Sequence, residues 1–140
     1  MNLGGDYLEQ ILAAVPENVM IWGVNLGGEQ RKGIHVLNIS AMRFQEDGLC
    51  FDVEYQDVHQ VVSIPLYGDV NVENAAMVMA VLLALDYSLD EVCARIGKVK
   101  SIPGRMEMFK SKGDLPTIVV DYAHTPDALK KLLVMVRRHC

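Results

Sequence analysis

The chain has 140 residues, room for one domain or for parts of two, and its 51% hydrophobic and 22% charged content is that of an ordinary folded globular protein. A formal net charge of −5 argues against a nucleic-acid partner, because phosphate recognition needs clustered Lys and Arg, and the one cationic cluster, Arg137-Arg138-His139, reads as a helix's last turn meeting the negative dipole end. No signal peptide is visible at the N-terminus, the longest apolar run (75–85) is shorter than the roughly 20 residues a membrane span needs, and the scattered Cys50, Cys93 and Cys140 fit reduced cytosolic thiols, so a cytoplasmic protein without a membrane partner is expected.

Residues 8–15 read as a short amphipathic helix closed by Pro16, and 19–23 as a short buried strand. Residues 25–33 are polar and Gly-rich, hence a loop. Three strands follow, at 35–40, 49–55 and 60–65, with Glu46-Asp47-Gly48 turning the first hairpin. Phe51, Val53 and Tyr55 alternate with Asp52 and Glu54, so this strand buries one face. The texture changes at Asn71. Residues 72–85 carry almost no charge after Glu73, which predicts a helix buried on most sides. Ser88-Leu89-Asp90-Glu91 is a capping box that starts a second helix, running through Val92 and Ile96 to near Gly97.

Ser101-Ile102-Pro103-Gly104 reads as a boundary, because Pro and Gly break regular structure and the pattern changes after them. Residues 105–110 should form a strand and Gly113-Asp114-Leu115-Pro116 a turn. Residues 117–121 then form a strand whose three β-branched residues predict burial on both faces, as in a parallel sheet. Thr125-Pro126-Asp127 opens a helix with a hydroxyl N-cap, Pro at the first position and a carboxylate in the first turn. Its inner face is predicted to be Leu129, Leu132, Leu133 and Val136. The chain ends at Cys140 inside this helical pattern, which suggests a fragment.

The candidate functional residues lie in the second half. Asp121 closes a strand of the kind whose ligands bind beyond the carboxyl ends, and its carboxylate suits a ribose diol; a turn or helix-capping Asp is the alternative. His124, in the strand-to-helix loop, could face a base or phosphate, or be satisfied by backbone. With no further ligand at suitable spacing, Asp121 and His124 do not make a metal site. Asn71 and Asn74 share one face of a first helical turn, and their amides suit the edge of adenine; alternatively Asn71 is the N-cap and Asn74 a surface residue. Arg105, beside a backbone bend, could contact phosphate, or pair on the surface with Glu107. The sequence contains no G-x-x-x-x-G-K-[ST] phosphate loop, no G-x-S-x-G elbow and no GxGxxG after a strand.

Taken in order, Gly68-x-x-Asn71-x-x-Asn74-Ala75-Ala76, Pro103-Gly104-Arg105-Met106-Glu107 and Val120-Asp121-Tyr122-Ala123-His124-Thr125-Pro126-Asp127-Ala128-Leu129 resemble the Mur ligase family of peptidoglycan synthesis. Within it, the last run resembles the members that add diaminopimelate or lysine to UDP-N-acetylmuramoyl-L-alanyl-D-glutamate. The resemblance is generic before Pro65 and specific over 66–134. It implies an α/β fold in which 1–102 is the back half of the central ATP-binding domain. Residues 103–140 would then be the first strands and helix of a Rossmann-like C-terminal domain. It implies ATP and Mg2+ as cofactors, with the phosphate loop and the magnesium-binding residues upstream of this sequence. It also implies UDP-N-acetylmuramoyl-dipeptide and the amino acid as partners, and an inactive chain when alone. By the same resemblance Asn74 and Asn71 contact adenine, Arg105 reaches the nucleotide from the second domain, Asp121 holds the ribose and His124 lies in the same loop. No catalytic residue and no metal ligand is assigned. Position 70, often aromatic in the family, is Val70. Two other expectations stand beside this one: a non-catalytic nucleotide- or partner-binding module derived from such a ligase, and self-association through exposed core-facing surface.

Overall fold

A computed structural model gives the architecture; it describes residues 1–27, 33–110 and 116–137. The fold is α/β. A four-stranded sheet, in the order β1 (Trp22–Asn25), β2 (His35–Gln45), β3 (Gly48–Tyr55), β4 (Val58–Ile64), forms its centre. The β1–β2 pair is parallel and the others antiparallel, so the sheet is mixed. Helix α1 (Leu8–Ala14) precedes it, ending at Val15 before Pro16 as expected. Helix α2 (Asp69–Ala84) packs on β1 and β2, and α3 (Leu89–Ile96) on β4.

The core lies between these helices and the sheet. Leu37, Phe51, Val53, Ile64, Val72, Met79 and Val92 are fully enclosed; each such side chain contributes about 1.5–3 kcal/mol through burial. The alternation expected in β3 is present, with Phe51 and Val53 inside and Asp52 and Glu54 half-buried. Ser88 caps α3 as a full capping box: its hydroxyl accepts from the Glu91 N–H and the Glu91 carboxylate accepts from the Ser88 N–H.

Several expectations need correction. The first strand starts at Trp22 and runs through Asn25, leaving Val19 and Met20 exposed. Its backbone is recruited by the chain terminus: the Met1 ammonium donates to the Trp22 carbonyl, and Leu3 N–H to that of Val24. Strand β2 extends to Gln45, past a bulge where Ala41 takes a left-handed φ of 47°. The hairpin pairs Gln45 with Gly48, so Glu46-Asp47 form the turn and Gly48 begins β3. Glycine is required there, because φ is +145° and a Cβ would stand 2.0 Å from the Ile64 carbonyl oxygen.

Helix α2 is not buried on most sides. Val72, Ala75, Ala76, Met79 and Leu83 face the core, whereas Met77, Val78 and Val81 are exposed, because among the described residues only one side of the helix meets the sheet. Strand β5 (Glu107–Phe109) and strand β6 (Ile118–Val120) make a separate two-stranded antiparallel sheet. The expected burial of β6 on both faces in a parallel sheet is therefore wrong here: Ile118 is 57% exposed and Val120 42%, since β5 is its one described neighbour. Helix α4 (Pro126–Arg137) begins as predicted, with Ala128 N–H donating to the Thr125 hydroxyl. Leu132 and Val136 are half-buried, but Leu129 and Leu133 are exposed; Ala128 and Met135 complete the inner face instead. Most of the expected turn at 113–116, most of the 25–33 loop and the positions 138–140 lie outside the described residues.

Candidate functional site

The second sheet and α4 stand against the N-terminal end of α2, and a cleft of about 840 Å³ opens between them. Asn71, Asn74, Arg105, Asp121 and His124 all line it. Five residues from three separate stretches of sequence thus meet on one surface.

Gly68 lets the two parts approach. It precedes α2 with φ at 91°, and a Cβ there would lie 2.2 Å from Met135 Sδ of α4. Because the helix starts at Asp69, Asn71 is its third residue and not the N-cap, which corrects that alternative. Its amide Nδ2 instead donates to the Tyr67 carbonyl at 2.7 Å, leaving Oδ1 to accept. Asn74, one turn on, is exposed in the cleft. Val70 also lines the cleft and is 55% exposed, so this edge is open where an aromatic side chain would narrow it.

The opposite wall is a backbone bend. Arg105 N–H donates to the Ile102 carbonyl at 3.0 Å, closing a turn with Pro103 second and Gly104 third; Gly104 has the φ of 68° that a type II turn demands. Gly104 N–H donates to Glu107 Oε2 at 2.9 Å. The Arg105–Glu107 surface pair is thereby corrected: Glu107 braces the bend, and among the described residues no ion pair joins it to Arg105. The Arg105 guanidinium lies instead 5.0 Å from the centre of the Tyr122 ring, a cation–π geometry.

Asp121 joins the two walls. The register pairs Glu107 with Val120, which would set Met106 opposite Asp121. Met106 turns left-handed there, with φ at 47°, and its N–H goes to Asp121 Oδ2 at 2.9 Å rather than to a carbonyl. Asp121 Oδ1 accepts from Ala123 N–H at 2.8 Å, an Asx turn. The turn-forming alternative is therefore present, and Asp121 also lines the cleft with a lone pair to spare on each oxygen.

His124 is exposed and edge-on to Tyr122 at 5.0 Å. Its Nδ1 is 3.0 Å from the Tyr122 carbonyl, which can only accept, so Nδ1 donates there. Lys130 and Lys131 of α4 add positive charge to the rim. A 2.8 Å pair with Asp127 raises the Lys131 ammonium above its ordinary range, so it stays charged at neutral pH. Tyr122 was not singled out as functional from sequence; an aromatic residue flanked by Asp121 and His124 in a strand-to-helix loop was the available signal.

The donor set fits a nucleoside: amides for a base edge, a carboxylate for hydroxyls, and Arg105 with the lysines for an anion. The cleft's volume also lies in the range of small-molecule sites. Among the described residues no three His, Cys, Asp or Glu side chains converge as a ready-made metal site. No described helix is long and apolar enough to cross a membrane.

No protein-family model matches the chain. The UDP-N-acetylmuramoyl-L-alanyl-D-glutamate–2,6-diaminopimelate ligase of Janthinobacterium sp. (strain Marseille) is 34% identical over 133 residues, covering 95% of this chain and 26% of the relative. The ligase of the same name from Haemophilus influenzae (strain PittEE) is 46% identical over 80 residues, or 57% of this chain and 16% of that protein. A solved structure of a ligase of that name superposes with a TM-score of 0.77 at 26% identity, covering 98% of this chain and 28% of the other. The MurF ligase from Thermotoga maritima in complex with ADP shares the fold, with a TM-score of 0.61 at 20% identity over 86% of this chain and 31% of its own. The chain spans about a quarter or less of the length of the curated relatives it matches.

Proposed function

The chain belongs to the Mur ligase family, and from that premise we propose that its cleft is the adenosine-facing part of the ATP site of a peptidoglycan ligase. The ligase would join 2,6-diaminopimelate, the amino acid in the relatives' names, to UDP-N-acetylmuramoyl-L-alanyl-D-glutamate. Lysine is the competing amino acid. The observation that carries the reading is the convergence of Asn71, Asn74, Arg105, Asp121 and His124 on one cleft.

In this reading residues 1–102 and 103–140 belong to two domains, and the nucleotide lies between them. Asn74, and Asn71 through its free Oδ1, read the adenine edge. Asp121 accepts from the ribose hydroxyls, and Arg105 reaches the phosphates. The solved relative in complex with ADP supports a nucleotide for this fold. Bound ATP would supply the phosphoryl group that activates a carboxylate toward an amine. This chain's residues would bind and orient the nucleoside and draw the walls together. The sequence carries no phosphate-loop motif, and among the described residues no three metal-ligating side chains converge.

The missing loop motif also favours a second reading for the chain on its own: a nucleotide-binding module without turnover. Calorimetric titration with ATP tests the site, and Asp121→Ala should abolish the heat seen with the native chain. A phosphate-release assay with ATP, the UDP-dipeptide and diaminopimelate tests turnover. Binding without phosphate release is expected. Phosphate release above background would overturn the assignment of an incomplete site, and absence of binding would overturn the nucleotide reading.

A further inference from the structure

The bend at 104–106 is unusually complete in its hydrogen bonding. The N–H of Gly104 goes to the Glu107 carboxylate, that of Arg105 to the Ile102 carbonyl, and that of Met106 to Asp121. Pro103 has none to satisfy. Of these three bonds, the one from Met106 reaches across the sheet, to a residue 15 positions away. It also holds the least comfortable residue. Met106 is neither Gly nor Asn, yet it sits at φ 47°, where an L side chain crowds its own backbone. Its side chain is 5% exposed and points into the seam near Gly68, opposite to Arg105, which is exposed above Tyr122.

We infer that Asp121 is a positioning residue for Arg105: by holding Met106 in its left-handed conformation, its carboxylate keeps the bend closed and the guanidinium aimed into the cleft. The second oxygen does the same for the facing wall, since its bond to Ala123 N–H sets the turn that presents Tyr122 and His124. One carboxylate thereby fixes the distance between Arg105 and Tyr122 before any ligand arrives. This role rests on the nucleotide reading above but is separate from a contact to the ribose. It also explains why a carboxylate suits the position. An asparagine could satisfy one N–H with its oxygen, but would turn an NH2 donor toward the other.

Nuclear magnetic resonance on the full chain tests the inference without ligand. In the native chain the Met106 amide should exchange slowly although it lies outside β5, and the Arg105 side-chain protons should carry an upfield ring-current shift from Tyr122. Asp121→Asn should speed Met106 exchange about tenfold or more and abolish the Arg105 shift, while amides in β3 stay protected. A native Met106 amide that exchanges freely would overturn the proposal even if the variant failed to fold. An Arg105 shift that survived in Asp121→Asn would also overturn it. Binding provides the second arm. Asp121→Asn should weaken 2′,3′-dideoxy-ATP, which has no ribose hydroxyls for the carboxylate to hold, by about tenfold, and that loss should disappear in an Arg105→Ala background. Dideoxy-ATP binding unaffected by Asp121→Asn would mean the residue acts on the ribose alone. A native chain that binds neither ATP nor dideoxy-ATP would sink the nucleotide reading, with the ligand-free measurements still deciding the positioning role.

Discussion

Replacing Gly68 with alanine tests how closely the two walls of the cleft are packed. The residue sits at φ 91° and ψ 136°, a region near the glycine-only part of conformational space. The added Cβ would meet Met135 Sδ at 2.2 Å and Cε at 3.0 Å, while Met106 Cγ at 3.8 Å would be in ordinary contact. The backbone strain costs about 1–3 kcal/mol. Met135 is flexible and can swing away, at about 0.5–1.5 kcal/mol for leaving its preferred rotamer. The total is about 1.5–4.5 kcal/mol, large against the stability of a small domain. Urea unfolding followed by circular dichroism measures it. Truncating Met135 as well removes the clash but not the strain, so Gly68→Ala/Met135→Ala should lose less than the two single losses combined, by about 0.5–1.5 kcal/mol. A Gly68→Ala chain within about 0.5 kcal/mol of native would refute the reasoning, because neither strain nor contact would then be present. Strict additivity would refute the contact alone.

Further expectations follow from the same geometry. Gly48→Ala should leave the chain largely unfolded by circular dichroism, since its Cβ would overlap the Ile64 carbonyl at a φ of +145°; a cooperative, native-like melt would contradict this. Ser88→Ala should destabilise by about 1 kcal/mol in urea, as loss of an N-cap hydroxyl does. The Ser88 bonds also hold the Glu91 carboxyl below its ordinary range, so that part of the stability is present above the unfolded value and lost as pH falls through the lower folded one. Glu91→Gln should flatten the acid limb of the stability profile; an unchanged limb would contradict the assignment. Burial first, and Asp90 second, push the Cys93 thiol up to about 11. Its alkylation at pH 8, read by peptide mass spectrometry, should then be about a hundredfold or more slower than that of an exposed thiol.

Much of the fold could be read from local sequence because its causes are local. The Ser88 capping box and the Thr125-Pro126-Asp127 helix start depend on neighbours three residues apart, and both appear as expected. The alternation in β3 likewise needs nothing beyond the strand itself. The readings that failed concern what lies opposite. Three β-branched residues say that β6 can be buried, not that anything covers it, and β5 alone leaves Ile118 and Val120 open. The apolar outer side of α2 fails for the same reason. The N-cap reading of Asn71 is off by three residues, because Gly68, and not an amide or hydroxyl, caps the helix; Asp69 in the first turn was the overlooked cue.

Read singly, the candidate residues of the cleft each had a bland local alternative; it was the resemblance of their three runs to a ligase family that singled them out, and the structure brings all of them together. Their connections could not be found. That Glu107 serves Gly104, that Asp121 serves Met106 and that Arg105 lies on Tyr122 depend on a left-handed methionine no propensity would place there.

An adenine nucleotide is the proposed occupant of this cleft. Titrating ATP into the isotopically labelled chain and mapping the amide shifts tests it most directly. Saturable shifts concentrated on Asn71, Asn74, Arg105, Tyr122 and His124 are predicted. Shifts absent at millimolar ATP, or gathered instead at the smaller cleft beside Asn25 and Glu73, would contradict it.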